Sequence, residues 1–489
     1  MIRYRKIIDA MIDAHNNTYN SSVKNLCSRE YYEKLLNDVL KILKENKDCS
    51  LSDVRNKLYE KSGLDSALRE FFLSSKKAPG AVISFGTDKY QEKIVIGNKQ
   101  EVLMDSNGVL IPSVKEMKEN TIFDLASCTK LFTSVAILQL AGDEQLRLDD
   151  NIRLYLPEFK NLGNHTIFDL LTYQPYHTDR RIDEAKSVEE AESILFTAMP
   201  YTPSECIFRD RYNDIAPMIL KYIVEKVSGL SFEEYVKLNI LDNALMSNTF
   251  VCIPEDKKEM VANSNYNGII NSNGEFTIRS NAYPGISTDP KAVALGQPLG
   301  KLPGHAGLFS TVDDMVSFSK GLINGLVLHP ALTYEMAQNR TYSLVRSSSG
   351  IEYVPTYGFL CGAKNPNSIF SSVYRPLSGS SFSKTGWSGT QITIDPINHI
   401  NLAFLSNRTH NRIVSILGNH DNIFTLKRGV RTTSDDKGNI MIDSSIYGFD
   451  RTTITNACLE LALKEKLLEE IIGKKMSKEK EDVKVRYIK

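Results

Sequence analysis

Residues 126–140 read ASCTKLFTSVAILQL: a serine, a lysine three residues later, and then a run that is apolar on nearly every side. A helix with no polar face belongs inside a domain, wrapped by other elements. Positions three apart lie on one helical face, so Ser127 and Lys130 can touch. An isolated Ser-x-x-Lys is most often a helix cap followed by a surface lysine. Here the run behind it buries the helix, and a buried amine needs a reason.

The chain can build the wrapping. Its 489 residues are 42% hydrophobic and 24% charged, enough for two to four folding units or one large catalytic unit with additions. The 59 basic and 59 acidic residues cancel, so no global field draws the chain to nucleic acid or an anionic membrane. No run of about 18 apolar residues predicts a membrane span. The amino-terminal MIRYRKIIDAMIDAHNNTYN is interrupted by Asp9, Asp13 and His15, an amphipathic helix rather than a signal-peptide core. A cytoplasmic location is the expectation. The seven cysteines form no Cys-x-x-Cys pair, which argues against a disulfide framework or a thiolate metal site. Cys128 reads as a small buried residue.

Residues 1–62 carry helical periodicity and form an expected N-terminal extension. PGAVISFGTDKYQEKIVIGNK reads as two strands around a turn at Gly86–Lys89. DIAPMILKYIVEKVSGLSFEEYVKLNIL is a helix, a glycine stop and another helix, and GHAGLFSTVDDMVSFSKGLING is a loop and a helix. FSKTGWSGTQITIDP and HINLAFLSNR are strands, TNACLELALKEKLLEEIIG a helix, and 473–489 a charged tail. Strands early and late with helices between them predict an α/β (α+β) sandwich, an antiparallel sheet flanked by helices, with a mostly helical subdomain. The main domain spans 63–472, with an insertion at about 411–450.

A serine hydroxyl needs a base to become a nucleophile, and a desolvated lysine one turn away can supply it. The helix N-terminus favours an oxyanion there. Lys384-Thr385-Gly386 follows at a strand position, and Ser-x-x-Lys with Lys-Thr-Gly is a catalytic pair of penicillin-interacting serine enzymes.

The chain thus resembles the serine β-lactamase-related superfamily of SxxK acyltransferases, in the branch of class C β-lactamases, D-alanyl-D-alanine peptidases and esterases. The resemblance runs in order over about residues 63–410 through APGAVIS, TIFDLASCTKLFTSVAILQL, LRLDDNIRLYLPEF, TIFDLLT, RYNDIAPMILKYIVEKVSGLSFEEYV, PGHAGLFSTVDDM, KTGWSGTQITIDP and LSNRTH. It implies Ser127 as nucleophile, and Tyr212, from a Tyr-x-Asn-like stretch, as a phenol shared between Ser127, Lys130 and Lys384. Thr385, Gly386 and Trp387 then line the substrate site. The backbone N–H groups of Ser127 and Trp387 form the expected oxyanion hole.

Two departures stand out. Tyr212-Asn213-Asp214 has aspartate where the family's commonest pattern has asparagine. An ionised aspartate only accepts, so Asp214 anchors Lys130 or binds a substrate amine, and efficient β-lactam hydrolysis is not expected. YQPYHTDRRI replaces the usual turn after Leu-Leu-Thr and brings Arg180 and Arg181, solvated or meeting a substrate carboxylate. His305 is a minor general-acid candidate, and His410 a structural residue. The expected function is a serine hydrolase acting through an acyl-enzyme on an ester, amide or D-amino-acid peptide, without cofactor or metal. The alternatives are an acyltransferase or cyclase releasing a peptide, and a non-catalytic β-lactam- or peptide-binding protein.

Overall fold

The structure is a computed structural model that describes residues 2–16, 29–202, 211–271, 273, 275–279, 284–347, 350–355, 357–364, 372–416, 432–434, 438, 440–442, 451–473 and 482–489. Its centre is a sheet assembled from both ends of the chain. β1 (Gly80–Gly86) and β2 (Tyr90–Met104) form the hairpin expected around Gly86–Lys89, with Val82 opposite Val95. β3 (Leu110–Glu116) pairs with the far half of β2. Some 250 residues later come β4 (Gly362–Ala363), β5 (Phe382–Thr385), β6 (Gln391–Asp395) and β7 (Ile400–Ser406). β7 closes the sheet by pairing antiparallel with β1, Val82 opposite Leu405.

The sheet order is β4-β5-β6-β7-β1-β2-β8, where β8 is Asp482–Ile488 and runs parallel to β2. This corrects the reading of 473–489 as a charged tail. Exposed Val483, Val485 and Tyr487 alternate with half-buried Lys484 and Arg486, the two-residue period of an edge strand. The charge of KKMSKEKED masked that alternation. Residues 474–481, and most of the expected insertion at 411–450, lie outside the described residues. Within that stretch Ile413–Ile416 pairs with Asn267–Ile270 in a small separate sheet.

β1 and β7 are buried on both faces, so each carries apolar residues on either side. Val82, Val95, Ala403 and Leu405 face one hydrophobic core. There they meet α4 (Thr129–Gly142), α5 (Ile215–Ser228) and α6 (Val312–Ile323). Ala81, Ile83, Leu402 and Phe404 face the other core, with α7 (Thr452–Ile472). On that side also pack α1 (Ile2–Asn16), α2 (Arg29–Glu45) and α3 (Leu51–Lys61). α2 buries Leu35, Leu36, Val39 and Ile42 at helical spacing. Arg55 of α3 pairs with Glu465 of α7 at 2.7 Å, both side chains 5% exposed.

α4 is wrapped on all sides, as its sequence requires: every residue from Thr129 to Leu138 is buried. Each enclosed leucine, isoleucine or phenylalanine there contributes about 1.5–3 kcal/mol. That packing holds the site's central helix in place and carries Lys130 into the interior.

Candidate active site

Ala126–Cys128 form a single tight turn ahead of α4, and Ser127 is its middle residue. Ala126 has φ +45°, a left-handed conformation that costs an L-residue roughly 1–2 kcal/mol. Neighbouring bonds hold it. The Ala126 N–H donates to Asp124 Oδ1 at 2.8 Å, while Asp124 Oδ2 accepts from the Thr288 N–H (2.7 Å) and hydroxyl (2.8 Å). Burial pushes the Asp124 carboxyl above its ordinary range despite those donors.

The strand carrying Lys384 is clamped onto the same turn. Ser388 Oγ donates to the Asp124 carbonyl (2.6 Å) and Thr390 Oγ1 to that of Leu125 (3.0 Å). A Cβ on Gly386 would stand 2.5 Å from the Leu125 carbonyl oxygen and 2.1 Å from Thr390 Oγ1. The glycine of Lys-Thr-Gly is therefore what lets this strand end approach the turn that carries Ser127.

Four side chains converge on one oxygen or one ring. Lys130 Nζ donates to Ser127 Oγ at 2.9 Å, and the Tyr212 hydroxyl lies 2.6 Å from the same atom. Lys130 Nζ stands 5.0 Å from the Tyr212 ring centre, and Lys384 Nζ 4.5 Å. Lys130, with no exposed surface, spends its other two donors on Asp214 Oδ1 (2.7 Å) and the His305 carbonyl (3.0 Å). Burial alone would lower the Lys130 ammonium, but Asp214, and after it Tyr212, outweigh burial and raise it above the ordinary lysine range. As an ammonium, Lys130 has all three donors satisfied.

Asp214 takes the first of its two expected roles. Its second oxygen accepts from Lys291 Nζ at 3.0 Å, so each oxygen holds a lysine. Burial opposes ionisation, yet Lys130, Lys291 and His305 hold the carboxyl well below the usual range. Asp214, expected to anchor Lys130 or to bind a substrate amine, pairs with Lys130 and Lys291 and also lines the cavity over Ser127. Asp289 lies 3.6 Å from Lys291 Nζ and 3.2 Å from His305 Nε2. Asp214, Asp289 and His305 offer acceptors within 4.8 Å of one another, and the cation among them is the ammonium of Lys291.

Sequence reasoning missed Lys291 and Asp289. The signal was Asp289-Pro290-Lys291, an N-cap and a proline at a helix start: Asp289 Oδ1 accepts from the Lys291 N–H at 2.8 Å. Nothing local ties that helix start to Tyr212.

The other candidates fall into place. Cys128 points its sulfur at the Lys384 carbonyl and Thr390 Oγ1, 3.4 Å from each, and burial pushes its thiol up. His305 contributes its carbonyl to Lys130 and its ring to Asp289. His410 is buried far along the sheet: Nε2 accepts from the Glu101 N–H at 2.8 Å and Nδ1 donates to the Asn265 carbonyl at 3.0 Å. Arg181 pairs with Asp183 at 2.6 Å and Arg180 with Glu190 at 2.9 Å.

A cavity of about 670 Å³ opens over Ser127. Tyr212, Asp214, Thr385, Gly386 and Trp387 line it, with Lys291 and Asp289 on one side. Arg279, Arg408 and Arg451 add positive charge, and Arg181 and Asp183 also contribute to the lining. The Arg408 guanidinium stands 5.0 Å from the centre of the Trp387 ring and donates to the Trp387 carbonyl at 2.9 Å, fixing the peptide after Lys-Thr-Gly. Burial lowers Arg408 to about 10.

A two-sided sheet with a Ser-x-x-Lys helix and a Lys-Thr-Gly strand meeting at one cavity defines a serine hydrolase of the β-lactamase and penicillin-binding type. The model of the Beta-lactamase family matches residues 74–416, and the chain belongs to that family. An Escherichia coli (strain K12) protein named "Putative D-alanyl-D-alanine carboxypeptidase" is 27% identical over 339 residues, covering 62% of this chain and 73% of that protein. A protein of the same name from Salmonella gallinarum (strain 287/91 / NCTC 13346) is 25% identical over 331 residues, covering 60% and 71%. Among solved structures, simvastatin synthase from Aspergillus terreus shares the fold with TM-score 0.53 at 15% identity over 82% of this chain and 97% of that one. A class C beta-lactamase does so with TM-score 0.52 at 14% identity over 83% and 98%. Among the described residues, no helix is long and apolar enough to cross a membrane.

Proposed function

We propose that the chain is a serine hydrolase that acts through an acyl-enzyme on an ester, an amide or a D-amino-acid peptide, and that it turns over β-lactams poorly. The observation that carries this reading is Ser127 Oγ held between the Tyr212 hydroxyl at 2.6 Å and the Lys130 ammonium at 2.9 Å. Lys130 is tied as a cation, so the base in this reading is Tyr212 after it has given its own proton to solvent: the phenolate oxygen, with the amino groups of Lys130 and Lys384 over its ring, takes the proton of Ser127 and becomes a phenol. Ser127 Oγ bonds to the substrate carbonyl carbon. The backbone N–H groups of Ser127 and Trp387 take the oxyanion, and Tyr212 returns the proton to the leaving group. Water then repeats the sequence on the acyl-enzyme.

The arginines lining the cavity favour a leaving group that carries a carboxylate, as the C-terminal residue of a peptide does. The names of the curated relatives agree with that direction. The poor fit to β-lactams rests on Asp214, whose oxygens are both occupied and which has no donor for a substrate amide carbonyl.

The test is kcat/KM for nitrocefin, a p-nitrophenyl ester and a D-alanyl-D-alanine peptide. The ester and the peptide are expected to turn over well ahead of nitrocefin, and Asp214→Asn is expected to narrow the gap. Nitrocefin hydrolysis on the order of 10⁶ M⁻¹s⁻¹, well within the usual enzyme range, would overturn this reading of the aspartate.

A further inference from the structure

Lys291 has no place in the chemistry just described, yet its ammonium lies one carboxylate away from Lys130. The chain of contacts is unbroken: Ser127 Oγ to Lys130 Nζ at 2.9 Å, Lys130 to Asp214 Oδ1 at 2.7 Å, Asp214 Oδ2 to Lys291 at 3.0 Å. Resting on the acyl-enzyme reading above, we propose that Lys291 is a positioning residue of the site: by holding one oxygen of Asp214 it fixes how strongly Asp214 holds Lys130, and so sets the pH range in which Ser127 acylates.

The arrangement is built rather than incidental. Asp289, the N-cap of the helix that starts at Pro290, binds the Lys291 backbone N–H at 2.8 Å and its Nζ at 3.6 Å, so backbone and side chain are steered by one carboxylate. His305 Nε2 lies 3.2 Å from Asp289 Oδ1, and the same residue's carbonyl accepts from Lys130. Two structural routes, one through Asp214 and one through His305, therefore join Lys291 to Lys130. Lys291 keeps about a third of its side chain exposed on the cavity wall, so it can be replaced without opening the core.

The charges facing this cluster nearly balance. Lys130, Lys291 and Arg181 stand against Asp214, Asp289 and Asp183, with His305 behind them and Lys384 across the Tyr212 ring. An isolated aspartate at this place would give its whole charge to Lys130. With Lys291 it divides that charge between two ammonium groups. Removing Lys291 takes one positive charge from the cluster, which makes every remaining group there easier to protonate. The carboxyl of Asp214 and the ammonium of Lys130 then both titrate at higher pH. Activity requires ionised Asp214 and a held Lys130, so the acid and alkaline limbs of the acylation profile both move upward.

The experiment follows the pH dependence of acylation by a p-nitrophenyl ester, read as the burst, for the natural protein and for Lys291→Met, Lys291→Gln and Lys291→Arg. Met and Gln are expected to shift the profile towards alkaline pH by about one unit, and Arg to restore it. Either neutral variant suffices if the other does not fold. A purely structural role would lower the burst at every pH and leave the limbs where they were, and that result overturns the proposal. So would an unmoved and undiminished profile. If the natural protein gives no burst at all and Ser127 carries no acyl group, it is the acyl-enzyme reading that fails, an outcome distinct from either.

Discussion

At the scale of single residues, the site turns on who carries the proton of Ser127. Lys130 is the one-turn partner that the helical spacing exposes, and the pair is visible in the sequence because both members lie on one helix. What the spacing cannot show is that Asp214, 84 positions along the chain, pairs with Lys130 and raises it. Tyr212 itself was placed by resemblance, and Lys291 and Asp289 were not legible, because their contacts with the site are made across the fold and follow no period. If Lys130 and Tyr212 serve one transfer, replacing either by Met or Phe is expected to remove most of the acylation rate, and replacing both is expected to remove little more. A double-mutant cycle of burst rates measures this. Losses that add in free energy would separate the two roles.

At the scale of elements, the nucleophile's turn and the Lys-Thr-Gly strand are brought together by contacts between backbones. Ser388, Thr390 and Gly386 all press on Asp124 or Leu125, just ahead of the left-handed Ala126. The backbone at Leu125 cannot yield as a flexible side chain would. Gly386→Ala is therefore expected to push the end of β5 away from Ser127, with a stability loss of about 1–3 kcal/mol and a larger loss of acylation rate. Urea unfolding and burst kinetics on the same variant check both, and an unchanged burst would show that the close approach is not needed. The strands were legible here because β6 and β7 are apolar at alternate positions and bounded by turn residues. β8 was not, because an edge strand with charges on alternate residues looks, in composition, like a solvated tail.

At the scale of the molecule, the sheet separates two cores, and the site lies with only one of them. α4 and α5 belong to the core on the catalytic side, whereas α1, α2, α3 and α7 build the other. The sequence showed the two ends pairing in one sheet, since apolar strands flank a helical middle. It did not show that α1, α2 and α3 share a core with α7, because amphipathicity names a buried face but not its partner.

The join between β2 and the loop at Asn265 is held by His410, fully buried, with both ring nitrogens bonded to backbone and its pKa lowered by burial to about 4. The sign follows. A histidine that titrates near 6.5 when unfolded and near 4 when folded favours the folded state only while neutral. Its contribution is complete above about pH 6.5 and is lost as pH falls towards 4. The loss is on the order of 3 kcal/mol. Denaturation measured from pH 7 to 4 is expected to show this fall, and His410→Asn, less stable at pH 7, a flatter profile. Equal slopes for the two would remove His410 from the account.

The central claim is that Ser127 forms a covalent intermediate. The most direct measurement is the intact mass of the full chain after incubation with a fluorophosphonate, for the natural protein and for Ser127→Ala. The geometry predicts one added phosphonyl group per chain, located by peptide mapping at Ser127, and none on the alanine variant. An adduct that persists on Ser127→Ala, or a natural protein that stays unmodified while folded, would contradict it.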